Sequence, residues 1–149
     1  MRNIYEVFDD FEMAETKQER IKVIEDNLSK TLVEVLLFTF HPEYQWKIKD
    51  YPYNYIMSDH GPGLSMCQLS TELRKLYLFR SGDPTAEKLD DKKTNELLIT
   101  LLESLEPREA DVFMGIILKN QNIPLWQQSL SAVCFCFLFV CMNDIYIPY

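Results

Sequence analysis

Apolar and polar residues follow a helical period through most of this chain. Ile4, Val7, Phe8 and Phe11 recur at three- and four-residue spacing, which lays one apolar stripe along a helix. Asn3 stands before them with Glu6 three residues on, the pair that closes a capping box by satisfying two otherwise unpartnered N–H groups. Thr16 and Glu19 repeat the device ahead of a second stripe of Ile21, Val23, Ile24 and Leu28. Ser29 is placed to cap a third helix with Leu32, Val33, Leu36, Leu37 and Phe40, and Pro42 stops it.

Residues 41–69 break the pattern. "HPEYQWKIKDYPYNY" mixes rings, prolines, Lys47 and Lys49, and "SDHGPGLSMCQL" contains a Gly-Pro-Gly that continues neither a helix nor a central strand. Two readings stay open for the aromatics: a loop pinned to the bundle by its rings, or rings that stack bases while lysines meet phosphates.

Helical signals return in "STELRKLYLFRSGDPTAEKL". Ser70 is expected to cap a helix that turns Leu73, Leu76 and Tyr77 inward and leaves Arg74, Lys75 and Arg80 in solvent. Gly82 suits the left-handed residue after a helix end, and Asp83-Pro84 suits a cap followed by a first-turn proline. A short helix to about Leu89 follows. Asp90 or Asp91 then opens another, with Leu97, Leu98, Leu101, Leu102 and Leu105 inward. Glu106-Pro107 opens the next, with Ala110, Phe113, Met114 and Ile117 inward and Asn120 at its end. The expectation is an all-α, single multi-helix bundle over residues 1–124 with a long aromatic loop.

Residues 125–149 differ from the rest. They carry one charge, Asp144, and Phe135, Phe137 and Phe139 alternate as in a strand, although a short buried helix fits the run too. Such a Cys/Phe/Leu/Val run is what T-rich DNA encodes in almost any frame, so an atypical, variant or frameshifted tail is expected here. The longest apolar run, Ala132–Met142, falls short of the ~20 residues a membrane-spanning helix needs.

Composition refines the picture. The 149 residues, 47% hydrophobic with 4 Gly, suit one helical globular domain. The net charge of −8 sits mainly at the flanks of the helical part: residues 1–15 hold five acids and one base, and residues 103–111 hold four acids and one base. Net charge therefore gives no support to phosphate binding, and any such role needs a local basic face. The acidic opening does not read as a signal peptide, and the four Cys (Cys67, Cys134, Cys136, Cys141) lack a C-x-x-C spacing, so reduced thiols in an intracellular protein are expected.

Candidate chemistry is sparse. The two histidines, His41 and His60, fit no zinc spacing with Asp59 and Cys67, so no metal and no cofactor is expected. No phosphate loop, nucleophile elbow or zinc-protease motif is present, and acidic pairs such as Asp9-Asp10 and Asp90-Asp91 suit solvent faces or helix starts. A catalytic role is not expected.

The succession "TKQERIKVIEDN", "VLLFTFHPEYQWKIKDYP", "LSTELRKLYLFRSGDPTAEKL" and "NELLITLLESLEPREADVFMGIILKN" resembles the helical N-terminal DNA-binding domain of phage-type ATP-dependent DNA ligases, over about residues 16–120. The chain also looks like an uncharacterised protein family of large tailed phages. The ligase likeness implies a grip on the duplex backbone by Lys47, Lys49, Arg74, Lys75, Arg80, Lys92, Lys93 and Lys119. Three features depart from it. No Lys is followed by x-Asp-Gly, the Gly-rich segment that leads into the ligase catalytic domain is missing, and Glu103, Glu106, Glu109 and Asp111 place acid where a DNA face would want base. What the resemblance implies is a non-catalytic accessory module of phage DNA metabolism in the cytoplasm of an infected bacterial host, with duplex DNA or a replication protein as partner. The alternative is an acidic protein-interaction module that competes for a partner's DNA-binding surface.

Overall fold

A computed structural model describes residues 2–61 and 63–119; the tail expected to be atypical, residues 125–149, lies outside them. Seven α-helices and no strands occur among the described residues: α1 (Ile4–Met13), α2 (Lys17–Asp26), α3 (Lys30–Phe40), α4 (Leu69–Glu72), α5 (Pro84–Glu87), α6 (Asp91–Ser104) and α7 (Pro107–Ile117). A 3₁₀ segment, Leu73–Phe79, continues α4. The fold is all-α. No helix among the described residues is long and apolar enough to cross a membrane.

The caps form where short-range chemistry places them. The Asn3 N–H donates to Glu6 Oε2 at 2.9 Å, and the Thr16 N–H donates to Glu19 Oε2 at 3.0 Å while the Glu19 N–H returns to Thr16 Oγ1 at 3.2 Å. Ser29 Oγ accepts from the Leu32 N–H at 3.1 Å. Of the two candidate starts for α6 it is Asp90 that caps, accepting from the Lys93 N–H at 2.6 Å. Gly82 has φ +84°, and Asp83 accepts from Thr85 and Ala86 ahead of α5.

Helix α7 is the axis of the core. Ala110, Val112, Phe113, Met114, Gly115, Ile116 and Ile117 are all buried along it. It packs against α1, α3, α4 and α6, while α1 also packs on α2. Ile4, Tyr5, Val7, Phe8 and Phe11 supply the α1 side of this core, and Leu98, Leu101, Leu102 and Leu105 the α6 side. The Phe79 and Phe113 rings meet edge to face, 6.2 Å between centroids.

Several expectations are corrected. Ser70 does not cap: Gln68 precedes the helix, which starts at Leu69. The expected inward Tyr77 is 48% exposed, because the chain tightens to 3₁₀ and buries Leu73, Leu76 and Phe79 instead. In a 3₁₀ helix residues i and i+3 lie in one line, so these three align inward and Tyr77 turns out. Leu28 lies beyond the end of α2 and is exposed, and Leu97 is only half-buried. Helix α7 ends before Asn120: Leu118 follows its last residue and Lys119 takes a left-handed φ of +53°.

The long loop between α3 and α4 is fastened at both ends and in the middle. Segment 45–47 pairs with 79–81 through the Lys47 N–H to Phe79 O and the Ser81 N–H to Gln45 O, both at 2.8 Å. Ser58 Oγ donates to Leu105 O at 2.9 Å, and the Cys67 N–H donates to Ser104 O at 3.1 Å. Trp46 and Pro52 are buried, Tyr44 and Tyr55 half-buried, and Tyr53 fully exposed. The inner rings thus pin the loop, as the first of the two readings had it.

Candidate functional site

The eight cations singled out in the sequence meet different fates. Lys47 Nζ donates to Ala86 O at 2.8 Å and to Leu89 O at 3.2 Å, closing the carbonyl end of α5. Lys49 Nζ donates to Trp46 O at 3.2 Å. Lys119 Nζ donates to His41 O at 2.8 Å, and burial pushes its ammonium below the usual lysine range. Lys75 sits on Glu72, donating to Oε1 at 3.0 Å, and Lys93 lies 3.6 Å from Glu96. Lys92 is exposed. Arg74 and Arg80 form no salt bridge with a described residue, and the Arg80 guanidinium lies over the Tyr44 ring, 4.7 Å from its centroid.

Glu72 is a buried carboxylate, 1% exposed. Its Oε2 lies 2.8 Å from Lys75 Nζ but out of hydrogen-bonding line, and no other group among the described residues bonds it. The hydrogen bond to Glu72, with its charge, raises Lys75 above the usual ammonium range, and the adjacent Cys67 adds to this. The pair anchors the start of the 3₁₀ segment.

Acid gathers around α1 and the first turns of α7. Tyr5 donates to Glu106 Oε2 at 3.2 Å, and Arg108 binds both Asp9 oxygens at 2.6 and 2.8 Å while lying over the Tyr5 ring. Burial raises Asp111 above the usual carboxylate range, against the Tyr51 hydroxyl and Arg108, which lower it. Burial also raises Glu109; the Leu69 N–H bonded to its Oε2 at 3.3 Å offsets this in part, and the Glu106 charge adds to it. A folded-state pKa above the unfolded value means stability that is complete below the unfolded pKa and is lost as pH rises through the folded one. Glu109→Gln keeps the acceptor for Leu69 and removes the charge. Its Tm is expected to exceed that of the parent chain by a few degrees at pH 7 and to match it below pH 4, as thermal circular-dichroism melts at the two pH values would show.

One hollow was not visible in the sequence. Phe38 of α3, Tyr44 and Trp46 of the loop, and Leu73, Leu76 and Tyr77 of the 3₁₀ segment enclose a cavity of about 220 Å³. Arg74, Arg80 and Glu34 complete its lining. Its rings brace one another: Phe38 meets Tyr44 edge-on at 4.9 Å and Trp46 at 6.3 Å, and Tyr44 stacks on Trp46 at 6.3 Å. Trp46 is 3% exposed, and its Nε1 has no hydrogen-bond partner among the described residues. A buried donor left unpaired costs roughly 1–3 kcal/mol. The only sequence sign of this site was a Trp two positions from a Tyr, with two arginines six positions apart far along the chain.

Of the side chains weighed as metal ligands and set aside, Asp59 and His60 are exposed, and the other histidine, His41, accepts from the Glu43 N–H through Nδ1 at 3.2 Å. Among the described residues no three His, Cys, Asp or Glu side chains are grouped to hold a metal ion.

No curated protein and no solved structure matches this chain, so the ligase-like succession of helices stands on the residues quoted for it alone. A family model does match, over residues 7–124, which takes in every helix from α2 to α7 and most of α1. The chain belongs to the family of unknown function DUF6433.

Proposed function

We propose that this chain is a non-catalytic accessory binding module whose partner is a protein, engaged at the hollow between α3 and the 3₁₀ segment. The observation that carries this is the pairing of a braced aromatic cavity with two arginines that have no carboxylate partner among the described residues. Trp, Tyr and Arg are the residues on which protein interfaces most often depend. Four of the eight candidate phosphate contacts favour the same view, since Lys47, Lys49, Lys75 and Lys119 already donate hydrogen bonds within the molecule. The test is affinity capture on the tagged full chain with nuclease present. A protein retained under nuclease and lost with Arg74→Glu supports the proposal; retention that disappears with nuclease alone overturns it.

A second reading is weak, sequence-independent contact with duplex DNA, in the phage DNA metabolism and infected-cell cytoplasm that the ligase-like order of helices suggests. One observation favours it: the pairing of 45–47 with 79–81 and the reach of Lys47 to Leu89 draw the segments bearing Lys49, Arg80 and Lys92 together. Three neutralised phosphates would give a slope of roughly −3 in log affinity against log salt. Fluorescence anisotropy with a short labelled duplex at low salt decides it. Binding abolished by Lys49→Glu with Lys92→Glu supports DNA contact, and no binding at low salt refutes it.

A further inference from the structure

Accepting that the hollow is a protein-binding site, we infer that its ligand is a short segment of a partner protein that presents one large apolar side chain next to a carboxylate. Size comes first. At about 220 Å³ the cavity lies below the roughly 300–1,000 Å³ of sites that enclose a whole drug-sized ligand or cofactor, and it suits a single side chain. Its lining is mostly rings and leucines, among them Phe38, Tyr44, Leu73 and Leu76. An apolar side chain gains from leaving water there.

Charge comes second. Arg74 is exposed, and Arg80 lies across the Tyr44 ring with its guanidinium free of carboxylates among the described residues. The acid in the lining, Glu34, is faced by Lys30 at 3.8 Å. Two cations against one shared anion make the mouth of the cavity locally positive. Guanidinium groups bind carboxylates in paired, directional hydrogen bonds.

Rigidity comes third. The backbone pairing of 45–47 with 79–81 fixes Trp46 and Arg80 relative to each other, and the three mutually packed rings hold the walls. Little ordering is left for the ligand to bring about, which favours affinity from a small contact.

A single-stranded nucleic acid fits less well. The Trp46 ring is 3% exposed and already stacked on Tyr44, so a base has no free face of it to cover. A polyanion also meets the whole charge of −8, whereas one carboxylate at the cavity mouth is sheltered from distant acids by a screening length of ~8 Å.

The experiment pans a displayed library of random heptapeptides against the full chain carrying Trp126→Phe, so that Trp46 is the sole tryptophan and can be excited selectively over the tyrosines. Enriched peptides are expected to place Asp or Glu within two positions of Phe, Leu, Ile or Met. Synthetic copies should shift Trp46 emission saturably, and replacing the peptide carboxylate by its amide should weaken binding about tenfold, as should Arg74→Glu. Tyr53→Ser, on the exposed part of the loop, should leave it unchanged. The amide series changes only the peptide, so it reports even if a protein variant misfolds. Enrichment of basic peptides, or no enrichment, would overturn the inference. So would a shift indifferent to the amide, displacement by a single-stranded oligonucleotide, or self-quenching that sedimentation traces to a second copy of this chain. Peptides that bind without moving Trp46 would sink this assignment of the hollow while leaving a protein-binding module in place elsewhere on the surface.

Discussion

Phe113→Ala is expected to lower the stability of the folded chain by about 3–5 kcal/mol. Phe113 has no exposed surface, sits mid-way along the central helix and meets Phe79 edge to face. The loss combines the transfer of a ring's surface out of the core with the cavity left behind, because four helices packed around α7 cannot all collapse into one gap. Against a total stability of roughly 5–15 kcal/mol this is a large share. Tm should fall by roughly 10–20 °C for a domain of this size. A urea titration monitored by circular dichroism checks it, with Met13→Ala as the comparison. Met13 is mostly exposed, so that change should stay within about 0.5 kcal/mol. A fall for Phe113→Ala no larger than that would mean α7 is not the axis of the core.

Lys47→Met is the second large effect. The substitution keeps the apolar stem and removes the ammonium that holds Ala86 O and Leu89 O. Hydrogen bonds from charged donors contribute about 1.5–3 kcal/mol, and the half-buried position admits some replacement water, so ~1.5 kcal/mol is expected. The loss should be local: amides around Glu87–Leu89 should exchange faster while those of α7 keep most of their protection. Hydrogen exchange by mass spectrometry resolves the two. Lys49→Met, at an exposed neighbour, should change little. For the same reason Lys47→Glu cannot map a DNA face, since it sets a carboxylate against two carbonyls and unsettles α5 regardless of DNA.

Local chemistry made much of the fold legible. Asn3 with Glu6, Thr16 with Glu19, Ser29, and Asp83-Pro84 act over three or four residues, and each cap formed where those residues stand. The α1 and α6 stripes were equally plain, because burial on one face imposes a period that sequence displays. The 3₁₀ segment was not. Leu73, Leu76 and Phe79 satisfy an α-helical pattern almost as well as a 3₁₀ one, and the choice was made by packing that puts all three in line. The role of Lys47 was hidden for a different reason: its partners lie about forty residues away, and a lysine between aromatics looks the same whether it meets a phosphate or a carbonyl. The hollow is the extreme case, since Phe38, Trp46 and Arg80 come from three segments that only the tertiary fold joins.

The position of α7 also bears on how the chain is born. It is the last of the described helices to be synthesised, yet α1 and α3 both pack on it. At about 5–20 residues per second, Phe8 leaves the ribosome's peptidyl-transferase centre roughly 5–20 s before Phe113 is made. Through that interval the apolar stripes of α1 and α3 lack the α7 face that they pack against in the finished core. Closure of the core around α7 is therefore a late event in synthesis, because the helix that α1, α3, α4 and α6 all pack against is the last described one to emerge.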